Sequence, residues 1–222
     1  MTRRLSRLMR TLEARYFLNQ SATENSFRDN AAEAAILHLS MHARVDDLNP
    51  NSSAFYFAGT EVSTGEENYG NDNILHLYEL YNMPLKANLV VLSACETGIG
   101  RYARGEGIMS LGRAFQFAGC PSVTMSLWSV NDRSSAGIME NFFFNLSEGM
   151  RKDEALRQAK LSFIKDPQNK YFAHPYYWSG FTLMGDPTPV VEKHYPTYTF
   201  LIIALLALVL IATMAFRRYR RA

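Results

Sequence analysis

A histidine and a cysteine each stand where a predicted strand ends. His42 follows the apolar run AILHL at residues 35–39, and Cys95 follows the run NLVVLSA at residues 88–94. An imidazole can accept a thiol proton, and the resulting thiolate can attack a carbonyl carbon. The carboxyl ends of parallel strands share one edge of a sheet, so two residues 53 positions apart can meet there. The pair predicts nucleophilic catalysis, and the alternative for Cys95 is a buried, unreactive thiol.

The elements that must position this pair alternate between strand and helix. The clearest buried strand is ANLVVLSA at residues 87–94, whose continuous Val/Leu run is typical of a parallel strand that is covered on both faces. The pattern predicts an α/β sandwich with a largely parallel sheet. Apolar spacing predicts helices over 5–18, 24–34, 74–81, 107–118, 132–147 and 151–165, and strands over 35–39, 54–58, 87–94, 121–128 and 177–184.

Composition and charge exclude several classes of protein. A chain of 222 residues with 47% hydrophobic and 20% charged residues is neither disordered nor of low complexity. Nine of the 23 basic residues lie at the two ends of the chain, so 14 basic residues face 20 acidic ones between them. Nucleic-acid binding needs a basic face, which this central part lacks, and no nucleic-acid partner is predicted.

The segment 198–216, YTFLIIALLALVLIATMAF, has no charged residue and is followed by RRYRR. Its nineteen residues approach the ~20 that a helix needs to cross a bilayer. The sequence therefore predicts a single-pass membrane protein, anchored in the membrane through residues 198–216. The basic flank favours a cytoplasmic tail, whereas the lack of an apolar run near Met1 favours insertion from the cytosol, so the side of the membrane is not predicted.

Four segments together resemble a known family. They are ILHLSMHA (36–43), VVLSACETG (90–98), RGEGIMSLGRAFQFAGCPSVTMSLWSVND (104–132) and YYWSGFTLMGDP (176–187). In this order they resemble the CHAT family, the caspase-like cysteine peptidase domains usually attached to tetratricopeptide repeats. The resemblance covers about residues 20–190. It implies a caspase-like three-layer sandwich with a mostly parallel sheet, to which the membrane helix adds a C-terminal element.

The resemblance also implies roles for individual residues. His42 is expected to be the general base and Cys95 the nucleophile, with the backbone N–H groups of Ala43 and Cys95 forming the oxyanion hole. Ala43 stands where the family usually has glycine. The nearest carboxylates, Asp132 and Asp47, are candidates for an acidic pocket that selects a basic residue before the scissile bond. Their alternatives are a helix cap for Asp132 and a solvated loop charge for Asp47.

Other residues of reactive types give weaker evidence for a functional site. His38 and His42 have the spacing of a helical zinc pair, but neither the HExxH glutamate nor a third ligand follows, so no metal site is predicted. Cys120, between Gly119 and Pro121, is expected to pack in the core. The run GIGRYARGEG lacks both phosphate-loop patterns and is interpreted as a flexible loop over the site. No cofactor is expected.

The predicted organisation has five parts. They are an N-terminal helical segment (1–34), a CHAT-like domain (35–190), a linker (191–197), the membrane helix (198–216) and a basic tail (217–222). Because the family normally has a further strand and helix before residues 22–24, the start of the domain is expected to be incomplete. Two functions remain open. One is a membrane-anchored cysteine endopeptidase that acts on protein substrates under control of a repeat or other regulatory protein; the other is an inactive interaction module with the same fold and anchor.

Overall fold

The structure, a computed structural model, describes residues 14–44, 52–59, 72–93 and 107–191. Within these residues the strands are β1 (Ile36–Leu39), β2 (Ala43–Arg44), β3 (Ala54–Tyr56), β4 (Ile74–His76), β5 (Leu89–Leu92), β6 (Ser122–Ser126) and β7 (Phe181–Gly185). The helices are α1 (Glu24–Ala31), α2 (Leu77–Leu80), α3 (Gly107–Phe117), α4 (Asp132–Ser147) and α5 (Lys152–Lys165). Short 3₁₀ turns cover Asn19–Ser21, Pro167–Phe172 and Pro175–Tyr177.

The main sheet has four strands in the order β1-β5-β6-β7. Strands β1, β5 and β6 run parallel, and β7 is antiparallel to β6. The crossover connections require intervening segments, and the described parts of these include α3 between β5 and β6. The sequence prediction of a mixed α/β fold with a mostly parallel sheet is confirmed.

Side chains of β5 alternate between two apolar clusters, one on each face of the sheet. Val90 and Leu92 belong to the cluster that includes α1, α2 and α3, whereas Leu89 and Val91 belong to the cluster formed with α4 and α5. All four are essentially inaccessible to solvent. A strand buried on both faces needs an uninterrupted apolar run, which is why the sequence LVVL is so uniform.

A second, three-stranded antiparallel sheet has the order β2-β3-β4. The prediction of one helix over residues 74–81 is wrong in its first part, because Ile74–His76 pairs with β3 and only Leu77–Leu80 is helical. Within the strand, Leu75 is fully buried whereas Ile74 and His76 are only partly buried, as strand alternation requires. The helix predicted over 5–18 is not seen in its described part, residues 14–18, and residues 5–13 lie outside the described residues.

The motif GDPTP closes the end of β7 onto α5. The ammonium of Lys152, which has no solvent-accessible surface, donates a hydrogen bond of 3.1 Å to the backbone carbonyl of Asp186 and lies 3.7 Å from its carboxylate. Thr188 donates to the same carboxylate through its N–H and hydroxyl groups. Gly185 has φ +95°, and a Cβ there would collide with the carbonyl oxygen of Pro121, so only glycine fits this position.

The prediction of a membrane-spanning helix is corrected by the structure. Across residues 14–44, 52–59, 72–93 and 107–191, no helix is both long and apolar enough to cross a bilayer. The longest described helix, α4, has 16 residues, about 24 Å, and carries charged residues on its surface. The segment 198–216 belongs to the unit Glu192–Ala222, which lies outside the described residues. The fold class is therefore given without a membrane helix, and the prediction of single-pass membrane localisation is not retained.

Candidate active site

His42 lies between the end of β1 and the start of β2, and its residue is exposed. Its backbone carbonyl accepts a hydrogen bond of 3.0 Å from the N–H of Tyr56, so the backbone at His42 is tied to the second sheet. Because β1 belongs to the main sheet and β2 to the small one, His42 marks the point where the chain passes between the two sheets. An exposed imidazole on an anchored backbone can reach a substrate without a large rearrangement.

Ala43 follows as the first residue of β2 and is 5% exposed. Ala43 is the cross-strand partner of Phe55, and the neighbouring pair, His42 and Tyr56, is joined by the bond from the Tyr56 N–H to the His42 carbonyl. Hydrogen-bonded and non-hydrogen-bonded pairs alternate along an antiparallel ladder. The pair Ala43–Phe55 is therefore the non-hydrogen-bonded type, whose N–H and C=O groups point away from the partner strand. The N–H group of Ala43 is therefore directed away from β3, as a donor to a ligand would have to be.

The carboxyl end of β5 lies directly beside that of β1. Leu39 is in register with Leu92, and the N–H of Ser93 extends the ladder with a bond of 3.1 Å to the carbonyl of Leu39. His42 comes three residues after Leu39, and Cys95 comes two residues after Ser93. The two chain segments thus leave the sheet at the same edge. Cys95 itself lies outside the described residues, so its meeting with His42 stays a prediction.

A contact between His38 and Ser93 was missed by sequence reasoning, which considered His38 only as a metal ligand. The Nε2 atom of His38 and the hydroxyl of Ser93 are 2.6 Å apart, and the imidazole packs 5.1 Å from the ring of Phe143. Although the residue as a whole stays exposed on strand β1, desolvation of its ring lowers the pKa of His38 to about 4. A neutral imidazole is thus held against the end of β5. Among the described residues, no group of three or more His, Cys, Asp and Glu side chains could hold a metal ion.

The two specificity candidates have different outcomes. Asp132 is the exposed first residue of α4, close in sequence to the carboxyl end of β6, and its carboxylate is not the helix cap. Asn131 caps α4 instead, because its side-chain oxygen accepts from the N–H groups of Arg133 and Ser134. The cap interpretation of Asp132 is therefore wrong by one position. Asp47, like its neighbour at position 46, lies outside the described residues.

Cys120 lies at the opposite end of the sheet, just before β6 begins. Its side chain is completely buried in the cluster on the α3 side of the sheet, and among the described residues its thiol forms no disulfide. Burial raises the pKa of the Cys120 thiol to about 11. The prediction that Cys120 packs in the core is confirmed, and its buried thiol is expected to react slowly while the chain is folded.

Two aromatic residues shape the chain beyond β6. The ring of Trp128 stacks on that of Tyr176 at 6.2 Å, and the indole N–H donates to the backbone carbonyl of Tyr176. The hydroxyl of Tyr176 donates in return to the carbonyl of Ser129. These contacts fix the segment between β6 and α4 on the turn Pro175–Tyr177, at the same sheet edge as His42. Sequence reasoning noted both residues only as parts of longer motifs.

A doubly covered, mostly parallel sheet, in which β1 and β5 end side by side, defines the class: a mixed α/β domain. Comparison with known families gives a match to the CHAT domain over residues 2–186, and the chain belongs to this family of caspase-like peptidase domains. The resemblance seen in the sequence is thereby confirmed.

Two relatives with curated descriptions are similar to half of the chain. Tetratricopeptide repeat protein 28 of Mus musculus is 33% identical over 112 residues, which are 50% of this chain and 4% of that protein. Tetratricopeptide repeat protein 28 of Homo sapiens is 30% identical over 112 residues, with the same coverage. The chain thus matches only a small part of the length of these relatives.

Proposed function

We propose that the protein is a cysteine endopeptidase in which His42 is the general base and Cys95 the nucleophile. The observation that carries this proposal is the register of β1 and β5, which makes Leu39 and Leu92 neighbours. The segment that leads to His42 and the segment that leads to Cys95 therefore begin at the same end of the sheet. Membership of the CHAT domain family supports the same assignment. The alternative is an inactive interaction module with the same fold, and labelling of Cys95 together with peptide cleavage distinguishes the two functions.

In the proposed reaction, the imidazole of His42 takes the thiol proton of Cys95, and the thiolate adds to the carbonyl carbon of a peptide bond. The oxyanion that forms accepts hydrogen bonds from the N–H groups of Ala43 and Cys95. The imidazolium then protonates the leaving amine as the C–N bond breaks, which gives an acyl-enzyme and the first product. Water, deprotonated by His42, hydrolyses the thioester and regenerates the thiol.

The direction of the Ala43 N–H, away from β3, supports its part in this scheme. It also explains how alanine can stand where the family usually has glycine. An antiparallel strand position suits any L-residue and requires no positive φ, so the donor is presented without the freedom of glycine.

We further propose that Asp132 and Asp47 favour a basic residue before the scissile bond, and that a tetratricopeptide-repeat or other regulatory protein controls access. The exposure of Asp132, six residues after the end of β6, supports its availability to substrate. The name of the relatives, tetratricopeptide repeat protein, supports a repeat protein as the class of partner. A peptide library cleaved by the wild type and by Asp132→Asn tests the first point: loss of the preference for Lys or Arg is expected, and an unchanged preference would remove Asp132 from the pocket.

The central experiment measures alkylation of Cys95 in the full chain with iodoacetamide from pH 5 to 9, followed by peptide mass spectrometry. Cys95 is compared between wild type and His42→Ala, because Cys120 would label slowly through burial alone. A thiolate paired with an imidazolium persists below pH 7, so His42→Ala is expected to slow labelling at pH 6 by roughly tenfold or more.

Cleavage of a peptide library by wild type and by Cys95→Ser accompanies this measurement, because labelling alone does not prove peptidase activity. Labelling of Cys95 that is independent of His42, in a folded sample without peptidase activity, would favour the interaction module instead. Folding is checked through Cys120, which must remain unlabelled in every variant.

A further inference from the structure

Ser93 makes two contacts that hold the end of β5 against β1. Its N–H donates to the carbonyl of Leu39 at 3.1 Å, and its hydroxyl lies 2.6 Å from Nε2 of His38. The residue is 5% exposed, so the hydroxyl has little access to water as an alternative partner. A buried hydroxyl deprived of its partner is costly, and this bond therefore constrains the backbone at Ser93.

His38 is itself held in place on its other side. It is in register with Val91, and its ring packs against Phe143 of α4. A neutral imidazole can either donate to or accept from a hydroxyl, so the bond to Ser93 persists across the neutral pH range. The histidine thus connects three elements, β1, β5 and α4, at the point where the described part of β5 ends.

We propose that His38 and Ser93 form a positioning pair, which sets the direction in which the chain leaves β5 and thereby places Cys95 opposite His42. This inference rests on the proposed function. The pair acts through the backbone: only one residue separates Ser93 from Cys95 in the sequence, so a change in the backbone dihedral angles at Ser93 is passed on to Cys95. Neither His38 nor Ser93 is a catalytic residue in this scheme.

The chain supplies a matched control at the other end of the same strands. The hydroxyl of Ser122, at the start of β6 and fully buried, donates a hydrogen bond of 2.5 Å to the carbonyl of Asn88, next to the start of β5. Ser122→Ala and Ser93→Ala each remove one buried serine hydroxyl whose bond joins one end of β5 to a neighbouring strand. Only Ser93 lies at the edge from which His42 and Cys95 depart, so a general loss of stability is separable from a local effect.

The experiment measures iodoacetamide labelling of Cys95 against pH in the full chain, for wild type, His42→Ala, Ser93→Ala, His38→Leu, His38→Gln and Ser122→Ala. Ser93→Ala and His38→Leu are each expected to slow labelling at pH 6 about fivefold or more and to shift the pH profile towards that of a free thiol. His38→Gln keeps a polar nitrogen near the Nε2 position and is expected to recover most of the rate. Ser122→Ala is expected to leave the pH profile of Cys95 unchanged.

Labelling of a double variant and backbone amide exchange test the same pair. The double variant His38→Leu/Ser93→Ala is expected to be no slower than either single variant, because the two side chains act as one unit. Backbone amide exchange in the peptide containing Cys95 is expected to rise in both single variants but not in Ser122→Ala. Equal effects of Ser93→Ala and Ser122→Ala on labelling and exchange would overturn the positioning role.

The labelling results for the different variants distinguish failure of the peptidase proposal from failure of the positioning pair. If wild type and His42→Ala label alike, the peptidase proposal fails, whatever the other variants do. If His42→Ala slows labelling while Ser93→Ala and His38→Leu keep the wild-type profile, the peptidase proposal stands and the positioning pair is refuted.

Discussion

The buried lysine at the start of α5 gives a stability prediction that can be worked from its contacts. Lys152 has no accessible surface, and Lys152→Ala removes three buried methylene groups together with the ammonium group. At ~0.8 kcal/mol for each methylene plus a cavity term, the free energy of unfolding is expected to fall by about 3 kcal/mol. For a unit of this size, the corresponding decrease in Tm is about 6–12 °C.

Lys152→Met separates packing from charge. Methionine fills nearly the same volume, and the carboxylate of Asp186, whose side chain is 36% exposed, keeps water and both donors of Thr188 as partners. Removing the ammonium also removes the cost of burying it. The change is therefore expected to stay within about 1 kcal/mol, since one hydrogen bond to the Asp186 carbonyl is exchanged for relief of that cost.

The assay is thermal and urea unfolding of both variants, with Lys165→Ala at the exposed end of α5 as the control. Desolvation lowers the pKa of Lys152 below its unfolded value of 10.5, although Asp186 acts in the opposite direction. The unfolded state then binds more protons between the folded and unfolded pKa values, so wild type should gain stability relative to Lys152→Met as pH rises towards 10.5. A loss in Lys152→Met equal to that in Lys152→Ala would refute the reasoning and assign the stability to the ion pair.

Three further outcomes are expected. Asn131→Ala should lower the free energy of unfolding by about 1 kcal/mol through loss of the α4 cap, with Asp132→Ala costing roughly half or less, as urea unfolding would show; the reverse order would contradict the capping geometry. Burial raises the pKa of Cys120 to about 11, so only ~10⁻⁴ of the thiol is ionised at pH 7, and Cys120 should label in urea but not in buffer. Because the folded state holds this proton more tightly than the unfolded state does, the free energy of unfolding should decline above pH 9. Rapid labelling of the folded chain would disprove the burial of Cys120. Gly185→Ala should cost more than about 2 kcal/mol in the same unfolding assay, and a neutral effect would contradict the positive φ and the contact with Pro121.

Much of the main sheet was readable from the sequence because burial on both faces leaves an unambiguous pattern. The run LVVL predicts β5, and the amphipathic stretches before and after β6 predict α3, α4 and α5 within a few residues. Residues 74–81 were misassigned because a strand joined directly to a single helical turn has the apolar spacing of one longer helix. Only pairing with β3, a contact distant in sequence, separates the two.

For the candidate site, the sequence predicted the position of His42 after β1 but not the contacts around it. The role of His42 as general base is a proposal that follows from the family resemblance. The contact between His38 and Ser93 depends on the register of β1 against β5, which no local pattern encodes. The cap of α4 was displaced by one residue because Asn131 and Asp132 are both good cap types, and only the backbone geometry selects between them.

The parallel pairing of β1 with β5 also determines when the protein acquires its chemistry. Closing the loop of about fifty residues between these strands costs about 3.5 kcal/mol of chain entropy, which must be recovered by contacts that form together with the sheet. Under the proposed mechanism, an unfolded or partly synthesised chain holds an ordinary imidazole and an ordinary thiol far apart. An activated thiol then requires that β1 and β5 have paired, so a misfolded copy without this pairing has no peptidase activity towards the proteins around it.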